Sequence, residues 1–419
     1  MKKFLSLLLV AALALTLTFS FVACNDEAEN NEGDVVAADD IKVGFIFLHD
    51  ENSTYDKNFI DAARAVQEKL GLTNDQMIMV TGIPEGSECY DAAVDLVDQG
   101  CDVIFADSFG HEDFLIQAAK AYPDVQFCHA TGTKAHTEGL ANFHNAFASI
   151  YEGRYLAGIA AGMKLNEMIE AGKFTAEEAT IGYVGAFPYA EVKSGYTSFF
   201  LGVRSVCPTA TMEVQFTDSW YDEAKERETA NTLINRGAKL ISQHADSMGA
   251  PSACEEAGIP NVSYNGTTIA ACPNTYIVSS RIDWAPYFEL MINAVKNGEA
   301  IPTDWCGGIK EGSVKLTDIN TAVAAAGTQE AIDAAKAAFE AGTLKVFAVD
   351  TFAKDGAALT EEWLADVDTD AAYTPDTKVV SDGYYHESEF RSAPYFDVNI
   401  DGITLLRFLI DDLSRAGKD

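Results

Sequence analysis

Apolar residues along this chain fall into short runs that alternate with longer stretches of helical periodicity. Between the first two runs, residues 54–70 place Phe59 and Val66 on one face of a predicted helix, and Gly71 provides its C-terminal stop. Repeated strand–helix units at this spacing predict a parallel, doubly wound α/β sheet. The predicted strands cover residues 42–47, 77–81, 102–106 and 125–129, and a second helix covers residues 87–99.

This rhythm breaks over residues 142–149 and then starts again with a long predicted helix over residues 151–169. Two similar sheets in succession indicate two lobes, because a chain of this length is too long for one core. Short segments near residues 143–149 and 279–284 are the expected crossings between the lobes. The strands predicted in this second series cover residues 181–184, 211–216, 238–242, 261–264 and 276–280.

The lobe boundaries follow from these crossings. The first lobe is predicted to comprise residues 41–143 and about 281–300, and the second residues 144–280 and about 301–349. Residues 305–316 are typical of a pair of strands, and residues 328–341 predict an Ala-rich helix. Residues 350–419 form an aromatic and acidic extension, for which the pattern predicts no placement.

The unit over residues 181–222 carries two large aromatic residues, each just after a predicted strand. Phe187 follows the first strand of the unit and Trp220 follows the second. Parallel strands connected through a helix end at the same edge of the sheet, which is the edge where α/β folds bind ligands. Both rings are therefore candidates for a ligand-binding surface, although packing of the loop ends is an alternative interpretation that the sequence leaves open.

The N-terminal residues indicate export. Lys2 and Lys3 precede an apolar stretch over residues 4–22, and Ala23 and Cys24 close it. This layout predicts a lipoprotein signal peptide over residues 1–23, with Cys24 as the lipid-bearing residue after cleavage. Residues 24–40 are acidic, with no Lys or Arg, and predict a solvated tether; a membrane-spanning helix at residues 4–22 is the alternative.

The formal net charge of −35 restricts the partners. Removal of residues 1–23 takes away only Lys2 and Lys3, and leaves a charge of about −37. Such a field repels nucleic acid and phosphorylated ligands, so neutral or cationic small molecules are the expected partners. Seven cysteines besides Cys24 form no CxxC pair and are interpreted mainly as reduced core thiols; a disulfide between two of the last four stays open.

Sequence motifs for catalysis are missing. The chain has no Gly-rich phosphate loop, no G-x-S-x-G elbow and no HExxH pair, so we predict no catalytic residues, no cofactor and no metal. The acids Glu112 and Asp113 follow His111 where a helix begins. Acids in a first helical turn are ordinary partners of the helix dipole, and we favour that interpretation over a catalytic cluster.

Aromatic and polar side chains instead cluster after the predicted strands. Aromatic faces stack on flat ligands, and Asp or Asn supplies directional hydrogen bonds to a heterocycle's edge. The pattern therefore favours a flat aromatic ligand bound between the lobes, with loop packing or capping as the alternative for each residue. The candidate contacts are Asn58, Phe59, Ser108, Phe109, Gly110, Thr131, Phe187, Trp220, Asp246, Asn265, Asp283 and Trp284.

Several motifs between about Lys42 and Leu316 resemble the basic membrane protein family, the substrate-binding lipoproteins of purine-nucleoside-type ABC transporters. Residues 181–191 and 218–222 fit the branch of the family with F-P-x-x-E and S-W-x-D. The other matching segments are Tyr55–Phe59, Ala106–Gly110, Ala121–Phe127, Tyr151–Gly158 and Trp305–Leu316.

The resemblance implies a type I periplasmic-binding-protein fold, in which two doubly wound parallel-sheet lobes, joined by a multi-strand hinge, close over a purine nucleoside or nucleobase. By position, it implies that Phe59 and Trp220 stack on the base, that Asn58 lies beside it, and that Asp283 lies near the ribose. Thr131 stands where the nucleoside-binding branch has an Asp, and residues 281–283 lack that branch's lysine. These departures favour a free nucleobase over an intact nucleoside.

The resulting hypothesis is a binding protein of an ABC importer, anchored by Cys24 on the extracytoplasmic face of the cell membrane. Its expected partners are a purine-type ligand, an ABC permease and the lipid membrane, without nucleic acid, and it performs no reaction. One alternative is a nucleoside hydrolase that uses Asp246, Asp283 or His111. Another is a ligand sensor or surface protein with the same fold.

Overall fold

A computed structural model describes residues 41–367 and 374–406 of the chain. The predicted signal peptide, Cys24 and the acidic tether up to residue 40 lie outside the described residues. The strands are β1 Val43–Ile46, β2 Met77–Val80, β3 Val103–Ala106, β4 Gln126–Ala130, β5 Phe143–Ala148, β6 Thr180–Gly185, β7 Thr211–Phe216, β8 Leu240–His244, β9 Asn261–Tyr264, β10 Tyr276–Ile282, β11 Asp304–Gly307, β12 Val314–Leu316, β13 Leu364–Ala365, β14 Thr377–Lys378, β15 Val380–Ser381, β16 Tyr384–Tyr385 and β17 Ile403–Leu406. The α-helices are α1 Thr54–Leu70, α2 Ser87–Asp98, α3 Glu112–Ala121, α4 Ala135–Glu138, α5 Ile150–Glu170, α6 Ala190–Val206, α7 Glu223–Asn235, α8 Gly249–Ala257, α9 Ala285–Asn297 and α10 Thr328–Glu340.

The first sheet has the strand order β2-β1-β3-β4-β5-β11, and its paired strands all run parallel. Apolar side chains cover both of its faces because successive residues of a strand point to opposite sides. Phe45 packs in the core that also contains Val66 of α1 and Phe288 of α9. Its neighbour Ile46 packs in a separate core with Leu96 of α2.

The second sheet has the order β12-β10-β9-β8-β6-β7-β17 and is parallel except for β12, which runs antiparallel to β10. Helices α5 and α6 pack together at backbone contact on this lobe. A Cβ atom at Gly158 would lie 2.1 Å from the carbonyl oxygen of Phe199, and one at Gly202 would lie 2.1 Å from that of Tyr155. The two glycines therefore set the distance between these helices.

Between β1 and β12, within the described residues, the chain crosses between the sheets three times, at Ser149, at residues 283–284 and at residues 308–313. This arrangement confirms the predicted fold class of two doubly wound parallel sheets joined by a multi-strand hinge.

The predicted lobe boundaries need correction at β5 and β11. Residues 143–148 and 304–307 belong to the first sheet, because β11 pairs in parallel with β5. Residues 305–316 were expected to form a strand pair, and this expectation is wrong. β11 and β12 lie in different sheets, and the six residues between them form one of the three crossings.

The C-terminal extension contacts both lobes. β17 adds to the second sheet beside β7, with Leu405 opposite Val214. On the first lobe, the backbone N–H and the hydroxyl of Ser392 donate to Asp304 Oδ1 at 2.9 and 2.6 Å. Residues 350–406, for which the sequence predicted no placement, therefore bridge the two sheets in the part that the structure describes.

The seven cysteines of the described region are all free thiols, and six of them are buried. Burial raises the pKa of Cys128 to about 12 and that of Cys101 to about 11, so both stay protonated at neutral pH. None of the helices in the described ranges has the length and apolar character that a membrane crossing requires.

Candidate functional site

A cleft lies where the carboxyl ends of the two sheets face each other. Its empty volume is about 400 Å³, part of it open to solvent. In the first lobe the cleft begins between β1 and β3, and in the second between β6 and β8; these are the points where strand order reverses and α/β sheets bind ligands. The lining residues are Leu48, His49, Tyr55, Asp56, Ser108, Phe109, Thr131, Glu191, Trp220, His244, Asp246, Tyr264 and Asn265.

The two lobes are in contact across this cleft. The rings of Phe109 and Tyr189, one from each lobe, have centroids 5.6 Å apart, and His49 and Tyr221 approach to the same distance. The structure therefore describes a nearly closed state of the two lobes.

Trp220 provides an aromatic wall of the cleft. Phe187 packs edge-on against its ring at a centroid distance of 5.1 Å, and Tyr189 stacks on Phe187 at 5.0 Å. The carbonyl oxygen of Trp220 also accepts a hydrogen bond of 3.1 Å from the backbone N–H of Asp246. Phe187 is not among the residues that line the cleft and packs against the tryptophan ring; its predicted ligand contact stays a prediction.

Thr131 and Asn265 occupy equivalent positions at the ends of β4 and β9, and both have backbone conformations that side chains rarely adopt. Their φ angles are 65° and 63°. A β-branched residue such as Thr131 at positive φ is strained, and strain of this kind concentrates at binding sites. The Asn265 amide nitrogen donates to Asp246 Oδ1 at 3.0 Å, so the turn after β9 positions that carboxyl group.

Asp246 is fully buried at the base of the second lobe's wall. Burial raises its pKa well above the usual value, and the nearby acids Glu226, Asp56 and Glu191 raise it further. The hydrogen bond from Asn265 opposes this shift without cancelling it. A ligand that brings an N–H donor or a positive charge to this carboxyl group would favour its ionised form.

The acids of the first lobe serve mainly to organise their own loop. Asp107 is buried, and its Oδ1 accepts from the backbone N–H of Leu48 at 3.0 Å; burial, followed by the charge of Asp56, raises its pKa. Burial also opposes ionisation of Asp56, but hydrogen bonds from His49 and Ser53 outweigh it and lower the Asp56 pKa. The hydrogen bond to Asp56 in turn raises the pKa of His49.

His244 and Glu191 form a second pair of titratable groups in the cleft. Nε2 of His244 lies 3.6 Å from Glu191 Oε1, and its ring centroid is 4.1 Å from that of Tyr264. Burial lowers the pKa of His244, and the approach of Glu191 only partly opposes this effect. The His244 side chain beside Glu191 is therefore a neutral imidazole at neutral pH.

The cleft brings together half of the sequence-predicted contacts. Asp246 and Asn265 lie against each other on one wall, while Ser108 and Phe109 come from the opposite lobe. The predicted residues that line the cleft are Ser108, Phe109, Thr131, Trp220, Asp246 and Asn265.

Phe59 and Trp284 are not among the residues that line the cleft, and their predicted ligand contacts stay predictions. The two rings stack on each other at 4.4 Å with 20° between their planes, and both are fully buried in the core beside Phe105. Phe59 lies on the same inward face of α1 as Val66, and this face packs against the first sheet. The ring predicted to stack on a ligand therefore stacks on a tryptophan of the hinge region.

Asn58, Asp283 and Gly110 are engaged in local structure. Asn58 Oδ1 accepts from an Arg281 nitrogen at 3.5 Å. Asp283 caps α9 through the backbone N–H of Ala285 at 3.0 Å, and its other oxygen lies 2.5 Å from the Lys315 amine. The backbone N–H of Gly110 donates to Glu85 at 2.9 Å. None of the three is among the residues that line the cleft.

Sequence reasoning missed seven of the lining residues as ligand contacts. Glu191 had the clearest signal, since it is the acid of the F-P-x-x-E segment and lies in the first turn of α6 after a strand end. His244 is the last residue of β8 and carried a similar positional signal. The seven are Leu48, His49, Tyr55, Asp56, Glu191, His244 and Tyr264.

A second cavity lies between the start of α5, the end of α10 and the extension. Its empty volume is about 600 Å³, and it shares no lining residue with the cleft. Tyr151 and Glu152 line it from α5, and Glu387 from the extension. Burial raises the pKa of Glu152 to about 6 and that of Glu387 to about 8.

The charges that line the cleft suit a neutral or cationic ligand better than an anionic one. Its lining contains three acids and two histidines but neither Lys nor Arg, so an anionic ligand would find no compensating charge. Within residues 41–367 and 374–406, no group of three or more His, Cys, Asp or Glu side chains is placed to hold a metal ion.

Comparison with solved structures agrees with the two-lobed fold. An ABC transporter solute-binding protein from Conexibacter woesei superposes with a TM-score of 0.59 at 19% identity, covering 73% of this chain and 98% of that one. A solute-binding protein from Aeropyrum pernix superposes with a TM-score of 0.61 at 17% identity, covering 73% of this chain and 93% of the other.

Sequence comparison identifies the family. A purine-binding protein of Brucella abortus is 31% identical over 283 residues, which are 67% of this chain and 76% of that protein. A protein of Haloferax volcanii, named for glucose binding in an ABC transporter, is 35% identical over 217 residues, 52% of each chain. The model of the PnrA-like ABC transporter substrate-binding proteins matches residues 46–342. The chain therefore belongs to this family of ABC transporter substrate-binding proteins.

Proposed function

We propose that this substrate-binding protein captures a purine-type nucleobase or nucleoside between its lobes and delivers it to the permease of an ABC importer. One observation carries the ligand assignment: Trp220 and the carboxyl groups of Asp246 and Glu191 line the same narrow cleft. An indole face stacks on a flat heterocycle, and carboxyl groups accept hydrogen bonds from its N–H edge. The purine-binding relative from Brucella abortus supports the same ligand class.

Within this class, a free base fits better than a nucleoside. Polar groups near the hinge that could hold a ribose already have partners within the protein: Arg281 contacts Asn58, and Asp283 contacts Lys315. Thr131, which stands at the position of an Asp in nucleoside binders, donates its hydroxyl to the Ala130 carbonyl at 2.6 Å. Because Arg281, Asp283 and Thr131 already bond within the protein, they are less available to bind a ribose.

A sugar is the second candidate, because the Haloferax volcanii relative is named for glucose binding. Carboxylates and an indole ring also suit pyranoses. The purine assignment is favoured because the Brucella abortus relative matches over 76% of its length, against 52% for the other. Direct comparison of the two ligand classes therefore belongs in the first experiment.

The experiment is isothermal titration calorimetry of the protein without residues 1–23, using adenine, guanine, hypoxanthine, adenosine and glucose. We expect at least one nucleobase to bind with a Kd on the order of micromolar or below, more tightly than adenosine. Trp220→Ala should weaken that binding strongly. Binding of glucose with no response to any purine would reject the proposal in favour of the sugar reading.

We further propose that Cys24 carries the lipid anchor and that capture involves no reaction. Cys24→Ser should shift the full-length protein from the membrane fraction to the soluble extracytoplasmic fraction. The three residues considered for a hydrolase do not meet: Asp246 lines the cleft, Asp283 is held by Lys315, and His111 is buried away from the lining. Incubation with inosine should leave the nucleoside intact, as followed by chromatography.

A further inference from the structure

The hydrogen-bond donors that line the cleft are largely used within the protein. Three lining hydroxyl groups donate their only proton to a neighbouring acceptor, and the Asn265 amide donates one of its two protons, so little of this donor capacity is left for a carbonyl oxygen of a ligand. The four bonds run from Tyr55 to the Asp107 carbonyl at 2.7 Å, from Thr131 to the Ala130 carbonyl at 2.6 Å, from Ser108 to Glu85 at 2.5 Å, and from Asn265 to Asp246 at 3.0 Å.

Two of the hydrogen-bond acceptors that line the cleft, in contrast, are not fully used within the protein. Asp56 is occupied by bonds from His49 and Ser53, but the carboxyl group of Asp246 receives its side-chain bond from Asn265 at Oδ1 alone. The described neighbour of Glu191 is the neutral imidazole of His244, whose Nε2 lies 3.6 Å from Glu191 Oε1. Asp246 and Glu191 therefore offer lone pairs to the cleft, and no Lys or Arg among the lining residues competes for them.

His244 lies in a fixed position beside the Glu191 carboxyl group. The imidazole is 2% exposed and is fixed between the Tyr264 ring and α6, where a Cβ atom at Gly195 would lie 2.5 Å from Nδ1. Neither ring nitrogen has a hydrogen-bond partner within the described ranges, and Nε2 is directed towards Glu191. A buried imidazole without a hydrogen-bond partner lowers the stability of the fold. This indicates that His244 bonds to the Glu191 carboxylate when a ligand is bound.

We propose that Glu191, positioned by His244, is a specificity-determining acceptor that selects heterocycles with an amino group over those with a carbonyl oxygen at the same position. This inference rests on the proposed function and deepens it. An amino group donates to the carboxylate, whereas a carbonyl oxygen in its place sets lone pairs against lone pairs in a buried site. The preferred ligands are thus aminopurines and other flat heterocycles with an exocyclic amino group.

Two pairs of bases test this selectivity, because each pair exchanges an amino group for an oxo group. Adenine is compared with hypoxanthine at position 6, and guanine with xanthine at position 2, by calorimetry at neutral pH. In at least one pair the amino base should bind on the order of tenfold or more tightly, as expected for a hydrogen bond to a charged acceptor. If both pairs differ by less than about threefold, the inference is overturned while the purine assignment stands.

Variants then assign the effect to Glu191. Glu191→Gln should reduce the amino-to-oxo affinity ratio of the discriminating pair towards one, and Glu191→Asp should retain part of it. Glu256→Gln, which removes an exposed acid bonded to Arg227, should leave the ratio unchanged. His244→Asn should lower the ratio although Glu191 is intact; a merely structural role would weaken both bases equally. An undiminished ratio in Glu191→Gln contradicts the inference, and failure of all four bases to bind rejects the proposed function instead.

Discussion

The backbone carbonyl oxygen of Asp246 accepts two hydrogen bonds from Thr54, one from its N–H at 3.2 Å and one from its hydroxyl at 3.1 Å. Thr54 begins α1 in the first lobe, and Asp246 follows β8 in the second, so these bonds join the lobes beside the cleft. Residues that line the cleft and residues that join the two lobes are thus adjacent along the chain.

Removal of the Thr54 hydroxyl should weaken closure. Thr54→Val keeps the shape and the backbone bond but loses the 3.1 Å hydroxyl bond, which is worth about 0.5–1.5 kcal/mol. We expect a severalfold rise in the Kd of the bound nucleobase and a larger radius of gyration by small-angle scattering. Thr351→Val, which removes the hydroxyl bond from Thr351 to the Ala348 carbonyl, is the matched control and should change neither quantity. Equal ligand affinity in both variants would argue against a role for this contact in closure.

Replacement of the cleft tryptophan should abolish stacking. Trp220→Ala should reduce affinity by about 1–3 kcal/mol, the typical contribution of one aromatic ring to base binding. Trp220→Phe should recover part of this loss. Because Phe187 supports Trp220 without lining the cleft, Phe187→Leu should have a smaller effect on affinity. If Phe187→Leu proved more harmful than Trp220→Ala, the assignment of the two rings would have to be exchanged.

Phe59 should affect stability rather than ligand binding. Its ring is fully buried and stacks on Trp284, and truncation of such a ring to Ala costs about 3–5 kcal/mol. The milder Phe59→Leu should lower the midpoint of thermal unfolding, followed by circular dichroism. At temperatures where the variant is folded, the Kd for the ligand should stay within about twofold of the parent value. A large loss of affinity in a stable Phe59→Leu protein would restore the stacking role that the sequence predicted.

Glu387 should make the protein less stable as the pH rises. Burial raises its folded-state pKa from 4.5 to about 8, while Ser194, Arg391 and the backbone N–H groups of Tyr395 and Phe396 lower it only in part. Neither carboxyl oxygen has a partner in hydrogen-bond geometry among the described residues. The unfolded chain releases this proton near pH 4.5 and the folded chain near pH 8, so the free energy of unfolding falls across that window.

The measurement compares urea unfolding of the parent and of Glu387→Gln between these two pH values. The variant should gain stability relative to the parent as the pH increases, because the amide cannot ionise. Glu361→Gln changes an exposed acid of the same extension and should show no such trend. A constant difference between Glu387→Gln and the parent over the whole window would contradict the raised pKa.

Much of the fold was predictable because it depends on local pattern. β7 and β9 have the bounds that the apolar runs predicted, and α1 matches over its full length. Strand pairing is different, since it depends on distant partners. Residues 304–307 have the sequence of an edge strand, and nothing in those four residues specifies pairing with β5 across the hinge.

The candidate site was predictable only in part, for a related reason. Periodicity placed Phe59 on the inward face of a helix, whereas the family resemblance placed it in the ligand site. In the structure Phe59 faces inward and packs against Trp284. An acid in the first turn of a helix, as at Glu191, is typical of a dipole partner. Its proximity to His244, more than fifty residues away in sequence, exists only in the folded protein.

The position of β17 has a consequence for solubility. By pairing with β7 from Ile403 to Leu406, the extension covers the N–H and C=O groups along one border of the second sheet. An uncovered border strand is a template for pairing with another chain, which leads to aggregation. β17 has four residues against six in β7, so it makes a shorter border strand. Proteolysis before residue 403 would expose the longer β7, and we expect the shortened protein to self-associate more readily at high concentration.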